Sequence, residues 1–327
     1  MKRRELLRFL LGSALLAVWP AHAQRGDRPA RIALLDDAHE TSRAHVWTIF
    51  RKRLRELGYV EGKSYVIEGR WARAELARLP ALAAELVALK PDVIVTPDSP
   101  TALAAKKATS SIPIVAIGAP DPITTGLVAS LARPEGNVTG ITYRQDEIIG
   151  KQLELLREVT GKTKSIAYLT FASSPASMRL FRELQGRARP LGIAVQAFDG
   201  SSRSNVERAF GAIARERIEA MIVGTHGVLL DQRQQIVDAA ARQRIPAIYM
   251  RREYVDAGGL MSYGAFYEAA YLRGAEYVHR ILQGAKPSEL PFEQASTFKL
   301  VLNLKTAKKL GLKISRDFLA RVDEVIQ

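Results

Sequence analysis

The stretch that most constrains this chain is residues 91–126, PDVIVTPDSPTALAAKKATSSIPIVAIGAPDPITTG, because it contains one device twice. Residues 92–96 are a short apolar, β-branched run, the signature of a buried strand. The run stops at Pro97, and the polar loop Asp98-Ser99-Pro100-Thr101 leads into a helical run over 102–108. Ser99 suits the N-cap, with Pro100 at the first helical position, where its missing N–H costs nothing. Residues 113–117 repeat the strand and end in Gly118-Ala119-Pro120-Asp121-Pro122, before Thr124 and Thr125 open another element. Strand, polar loop and helix start form the unit of a parallel α/β sheet, whose ligands sit beyond the carboxyl ends of the strands. Free N–H groups at a helix start, with the hydroxyls of Ser99 and Thr101, suit a carboxylate or other anion. Asp121 suits a cation or a hydroxyl. Ser99 and Asp121 serve equally well as a cap and a turn former. Two such loops on neighbouring strands favour a site.

The N-terminus reads as a secretory leader. Lys2, Arg3, Arg4 and Arg8 precede an apolar run over 9–19, and Ala21-His22-Ala23 is a small-x-small cleavage site. Arg3-Arg4-Glu5-Leu6-Leu7 also has a twin-arginine look, and an uncleaved anchor is the alternative. The expected mature chain starts near Gln24, in a periplasm-like compartment. The chain has no cysteine, which excludes disulfides, thiol nucleophiles and a lipid-modified cysteine. A chain of this length buries enough core to need no covalent staples. The formal net charge is +14, of which the leader's four basic residues and one acid contribute +3. The remaining Lys and Arg are scattered along helices without an aromatic–basic motif, so the charge reads as a solvated surface and nucleic acid is not an expected partner.

After the leader, residues 31–35 make a first strand ending in Asp36-Asp37, which places Asp37 among the candidate ligand contacts. The glycine fingerprint of dinucleotide-binding proteins is absent there. Thr41 or Ser42 is the expected cap of a helix over 44–57, closed by Gly58. Further strands are expected at 64–71 and 138–143, which completes about five βα units and one Rossmann-like lobe. The pattern then restarts near 144–147. A helix over 151–159 precedes strands at 165–171, 193–198, 220–223 and 246–250, with helices at 178–189, 206–215 and 230–242 between them. Two similar α/β lobes in tandem follow, with parallel sheets. The tail, with a short strand near 258–264, a helix over 266–282, a linker over 284–291, a strand at 298–302 and two short helices, fits a segment crossing back to the first lobe and returning. The five histidines lack metal-ligand spacing, there is no G-x-S-x-G elbow, and no carboxylate pair is marked out for acid–base work. The pattern therefore points away from an enzyme, and no cofactor is expected.

The segments PALAAELVALKPDVIV, IPIVAIGAPDPITTGLVASLARPEGNVTG, IPAIYMRREYVDAGGLMSYG and FKLVLNLKTAKKLGL resemble ABC-transporter substrate-binding proteins related to the tryptophan/tyrosine type. The resemblance runs over nearly the whole mature chain. It implies a type I periplasmic-binding-protein architecture with hinge crossovers and ligand held between two lobes. The implied division is a signal peptide over 1–23, lobe one over 29–145 plus 264–290, and lobe two over 146–263 plus 291–327. It further implies a monomer that captures a small carboxylated or aromatic molecule and hands it to an ABC permease in the membrane. A periplasmic sensory module of the same fold is the alternative. By motif, the loop from Thr96 through Ser99 to Thr101 holds a ligand carboxylate and Asp121 sits at the cleft edge. Ser173, Ser174 and Ser177 face the cleft from lobe two, and Arg144 and Arg251 lie nearby. Tyr143 and Tyr263 are candidates for an apolar wall, or for packing. His226 stands in a loop where aromatic amino-acid binders of this family tend to have an Asp for the α-ammonium. The sequence departs there, with Gly224-Thr225-His226-Gly227, so a chargeable histidine favouring an anionic ligand is expected in place of an unmodified α-amino acid.

Overall fold

A computed structural model describes residues 28–161 and 163–327; the leader and its cleavage site lie outside them. The first half builds strands β1 (Ala30–Asp36), β2 (Tyr65–Trp71), β3 (Val93–Thr96), β4 (Ile114–Ile117) and β5 (Val138–Thr142), with helices α1 (Ala44–Glu56), α2 (Leu79–Ala88) and α3 (Ser99–Ala108) between them. The second half opens on α4 (Gln145–Thr160) and builds β6 (Ser165–Thr170), β7 (Ala194–Asp199), β8 (Ala220–Val223), β9 (Ala247–Tyr249) and β10 (Met261–Ala265). Helices α5 (Pro175–Ala188), α6 (Arg203–Arg215), α7 (Gly227–Asp231), α8 (Arg233–Arg242) and α9 (Glu253–Asp256) connect them. The tail adds α10 (Tyr267–Leu282), β11 (Glu293–Gln294), β12 (Phe298–Asn303), α11 (Leu304–Lys309), α12 (Arg316–Leu319) and β13 (Glu324–Ile326).

The strands form two sheets, ordered β11-β5-β4-β3-β1-β2 and β13-β12-β10-β9-β8-β6-β7. The second sheet repeats the first, position for position, over its five parallel strands. Among the described strands the one antiparallel pairing is β12 against β10, and β13 follows β12 in parallel. The repeat extends to a glycine in the fifth strand of each lobe. A methyl at Gly140 would lie 2.0 Å from the Ala116 carbonyl oxygen, and one at Gly264 2.0 Å from that of Met250. The sheet backbone thus approaches too closely there for any side chain. Both lobes bury apolar strand faces under helices, as parallel sheets require. The chain passes between the sheets after β5, after β10 and after β11. Helix α10 lies against the first sheet, where Tyr271, Ala275 and Val278 join Ile32, Val95 and Phe50 in one core. Two α/β lobes with three crossovers are therefore present, and no helix among the described residues is long and apolar enough to cross a membrane.

Several local expectations are corrected. Asp98, rather than Ser99, caps α3: its side chain accepts from the Thr101 N–H at 3.1 Å. Neither Thr41 nor Ser42 caps α1; the N-cap residue is Arg43, with no side-chain cap bond, and the Ser42 hydroxyl turns to Asp231. Thr124 and Thr125 sit in a turn, with no helix before β5. Helix α4 begins six residues before the expected start of 151, because Asp146 and Glu147 in its first turn complement the helix dipole. The helix expected over 230–242 is two, α7 and α8, broken at Gln232.

Candidate functional site

A cavity of about 400 Å³ lies between the lobes, within the usual range for small-molecule sites. Its walls are the loops that leave the carboxyl ends of parallel strands, as the architecture dictates. Pro97–Pro100 follow β3, Gly118–Thr125 follow β4, and Tyr143 and Gln145 follow β5. From the other lobe come Ser174–Ser177 after β6, Thr225–Gly227 after β8 and Arg251 after β9. Apolar contact is supplied by Pro120, Leu180, Leu230 and the ring pair Tyr143–Tyr267, whose centroids are 5.7 Å apart and whose hydroxyls are joined at 2.9 Å. Arg251 lies over the Tyr267 ring, 4.1 Å from its centroid, and pairs with Glu253 at 2.5 Å.

Behind the first-lobe wall is a buried charge cluster. Arg43 pairs with Asp36, with Asp37 at 2.6 Å and with Asp98 at 3.4 Å. Asp36 also accepts from the Trp47 indole N–H at 3.0 Å. Burial pushes the Asp98 carboxyl well above the usual range, aided by Asp37 across a shared hydrogen bond. Burial alone would raise Asp37 too, but the Arg43 charge holds it below the usual range. The two carboxyl groups are pushed in opposite directions, the expected division for a pair sharing one site.

His226 meets this cluster from the other lobe, with Nδ1 3.9 Å from Asp37. Burial pushes its ring below the ordinary value, so it is neutral, and the expectation of a positively charged histidine is corrected. Its Nδ1 accepts from the Val228 N–H at 3.3 Å. That fixes the tautomer with the proton on Nε2. Nε2 is buried with no hydrogen-bond partner.

The lobes touch at several further points. Arg179 pairs with Asp121, Ser42 with Asp231, and His45 lies 3.6 Å from Glu253. The cleft is closed.

Of the residues singled out in the sequence, Ser99, Asp121, Tyr143, Ser174, Ser177, His226 and Arg251 line the cavity. The others stand apart from its lining. Asp37 is fully buried behind it, and Thr96 is fully buried with its hydroxyl unpartnered. Thr101 spends its hydroxyl on Asp98 at 2.7 Å. Ser173 is exposed, Arg144 pairs with Asp146 and Glu147 at the surface, and Tyr263 stacks on Phe298 at 6.2 Å. Sequence reading passed over Arg43, Gln145, Arg179, Arg182 and Tyr267. A signal existed for Arg179 and Arg182, which stand one helical turn apart in a helix leaving a cleft loop. Nothing local announced Arg43 or Tyr267.

The model of the family "ABC transporter substrate binding protein" matches residues 32–326. The chain is 28% identical over 269 residues to a tyrosine-binding protein of Clostridioides difficile, covering 82% of this chain and 77% of that one. A solved structure of a conserved domain protein from Vibrio cholerae superposes with TM-score 0.85 at 27% identity, covering 91% of this chain and 100% of that one. An ABC domain from Streptococcus pneumonia in complex with L-Trp superposes with TM-score 0.84 at 25% identity and the same coverage. This chain belongs to the ABC transporter substrate-binding proteins, the extracytoplasmic components that capture small molecules between two lobes and deliver them to a membrane permease.

Proposed function

We propose that the cargo is a small carboxylated molecule with an apolar or aromatic body, bound without chemical conversion. The observation that carries this reading is the charge balance of the cavity lining. Arg43 is met by Asp37, Arg251 by Glu253 and Arg179 by Asp121. Arg182 lines the cavity with no ion pair among the described residues. One cation is thus left for the ligand. Ser99, Ser174 and Ser177 offer hydroxyls, and the Tyr143–Tyr267 pair an apolar wall. The tyrosine and L-Trp of the relatives are likewise carboxylated and aromatic. Ligand that touches both lobes populates the closed form, because only that form contacts it from both sides. In this reading the chain is exported, cleaved near Ala23, and works as a monomer without nucleic acid.

The test is a titration of ligand-stripped protein with L-tyrosine, L-tryptophan, their deaminated acids and their decarboxylated amines. Native-state ligands raise the melting temperature by mass action. The acids should bind, with or without the α-amino group, and Arg182→Ala should weaken them roughly tenfold, about 1.4 kcal/mol. Amines that bind as tightly as the acids would sink the proposal.

A further inference from the structure

We propose that closing the cleft drives a proton from His226 into bulk water, so that the protein holds its cargo less tightly as its surroundings are acidified. The inference rests on capture between two lobes and not on the identity of the cargo. His226 follows β8 in lobe two, lies 3.9 Å from Asp37 of lobe one, and has 8% of its side chain exposed. In this closed form neither ring nitrogen suits the extra proton of an imidazolium. Nδ1 accepts from the Val228 N–H at 3.3 Å, so a proton there would set donor against donor. Nε2 is buried with no hydrogen-bond partner among the described residues, and a positive ring would share its charge there with neither a partner nor water. The Phe171 ring lies against the imidazole, with centroids 4.6 Å apart.

The charges around the ring come from both lobes. Asp37 favours an imidazolium, but Arg43 already holds that carboxylate at 2.6 Å and opposes a second positive charge. Asp98 shares the same arginine at 3.4 Å. Asp231 of α7 acts on the ring from its own lobe and takes the Ser42 hydroxyl. Arg179, Arg182 and Arg251 line the same cavity. Opening withdraws Asp37 and Arg43 and admits water, and the ring then titrates near its ordinary value of about 6.5. Below that pH the open form carries a proton that closure must remove, so acid favours the open form. The His226 contribution to closure is thus full above about 6.5 and is lost as the pH falls. With the closed ring neutral throughout, it amounts to about tenfold in affinity between pH 7.5 and 5.5. Asp98 and Asp231 are pushed upward by burial at the same seam and act in the opposite sense.

The experiment titrates L-tryptophan and indole-3-propionate into the ligand-stripped protein by calorimetry at pH 7.5, 6.2 and 5.5, in two buffers that differ in ionisation enthalpy. The comparison is His226→Asn, which keeps a side-chain oxygen for the Val228 N–H and does not titrate. Asp98, Asp231 and the probes' own groups are common to both chains, so the difference between them reports His226 alone. From pH 7.5 to 5.5 the parent should lose about tenfold more affinity than the variant, and at pH 6.2 it should release roughly half a proton more per ligand bound. A cooperative melt of His226→Asn at pH 7.5 shows that the variant folds, and proton release by the parent alone tests the proposal without it. Equal slopes in the two chains, or proton uptake by the parent, would overturn the proposal. If neither probe binds at pH 7.5, the acidic-cargo reading fails and the linkage is read from X-ray scattering of the ligand-free chains. The parent should then be more expanded at pH 5.5 than at 7.5 and the variant equally expanded at both; equal dimensions in the parent would overturn it.

Discussion

Gly227→Ala should separate closure from folding. Gly227 is the first residue of α7 in lobe two, and the atom it faces is across the cleft. A methyl there would lie 2.4 Å from both carboxylate oxygens of Asp37 and 2.5 Å from Cγ. Ordinary contact begins near 3.4 Å, so the shortfall is about 1 Å. Asp37 cannot yield, because it is fully buried and held by Arg43 at 2.6 Å. The lobes must part instead, which loosens the His226, Asp231 and Arg179 contacts together. Overpacking of this kind costs roughly 1–3 kcal/mol, and here it falls on the closed state alone. Ligand affinity should drop between about 5-fold and 150-fold, at about 1.4 kcal/mol per decade. The ligand-free melting temperature should stay level or rise slightly, since Ala favours a helix over Gly. Calorimetric titration with the best acid from the panel, beside X-ray scattering with and without it, reads both effects. Unchanged affinity, or a melting temperature lowered by several degrees, would refute the reasoning.

Two further outcomes follow from the buried cluster. Arg43→Met strands the Asp37 charge and should cost roughly 3–5 kcal/mol of unfolding free energy in urea, with much of it restored by Arg43→Met/Asp37→Asn. Burial holds His226 below 6.5, so the unfolded chain gains a proton near that pH while the folded one does not. The His226 contribution is present above about 6.5 and is lost on acidification, by at most about 1.4 kcal/mol per pH unit. The melting temperature should fall less steeply from pH 7 to 5.5 in His226→Gln. Asp98, whose carboxyl is raised, acts in the opposite sense, losing stability as pH rises through its own value.

Much of the fold was legible because its repeating unit is local. Apolar β-branched runs such as 93–96 and 114–117, each followed by Pro or Gly and a polar loop, carry their own strand boundaries. The loops at strand ends could be named as the site for the same reason, and Ser99, Ser174 and His226 lie on them. What failed was partnership at a distance. Ser42 reads as a cap until Asp231, 189 residues away, claims its hydroxyl. Arg43 reads as a solvated helix residue until three aspartates from two strand ends surround it. His226 reads as chargeable until burial makes it neutral. Tyr263 reads as a wall residue like Tyr143, yet it lies in the middle of β10 and packs on the antiparallel β12 instead of the cleft, an added strand that no βα repeat announces.

The central claim is that a carboxylated molecule bridges the lobes with its acidic group on Arg182. The most direct measurement is the crystal structure of the protein with the tightest acid of the panel. A carboxylate oxygen within hydrogen-bond distance of the Arg182 guanidinium, in a ligand touching both lobes, is the predicted result. A ligand outside the cleft, or one presenting no acidic group to Arg182, would contradict the account.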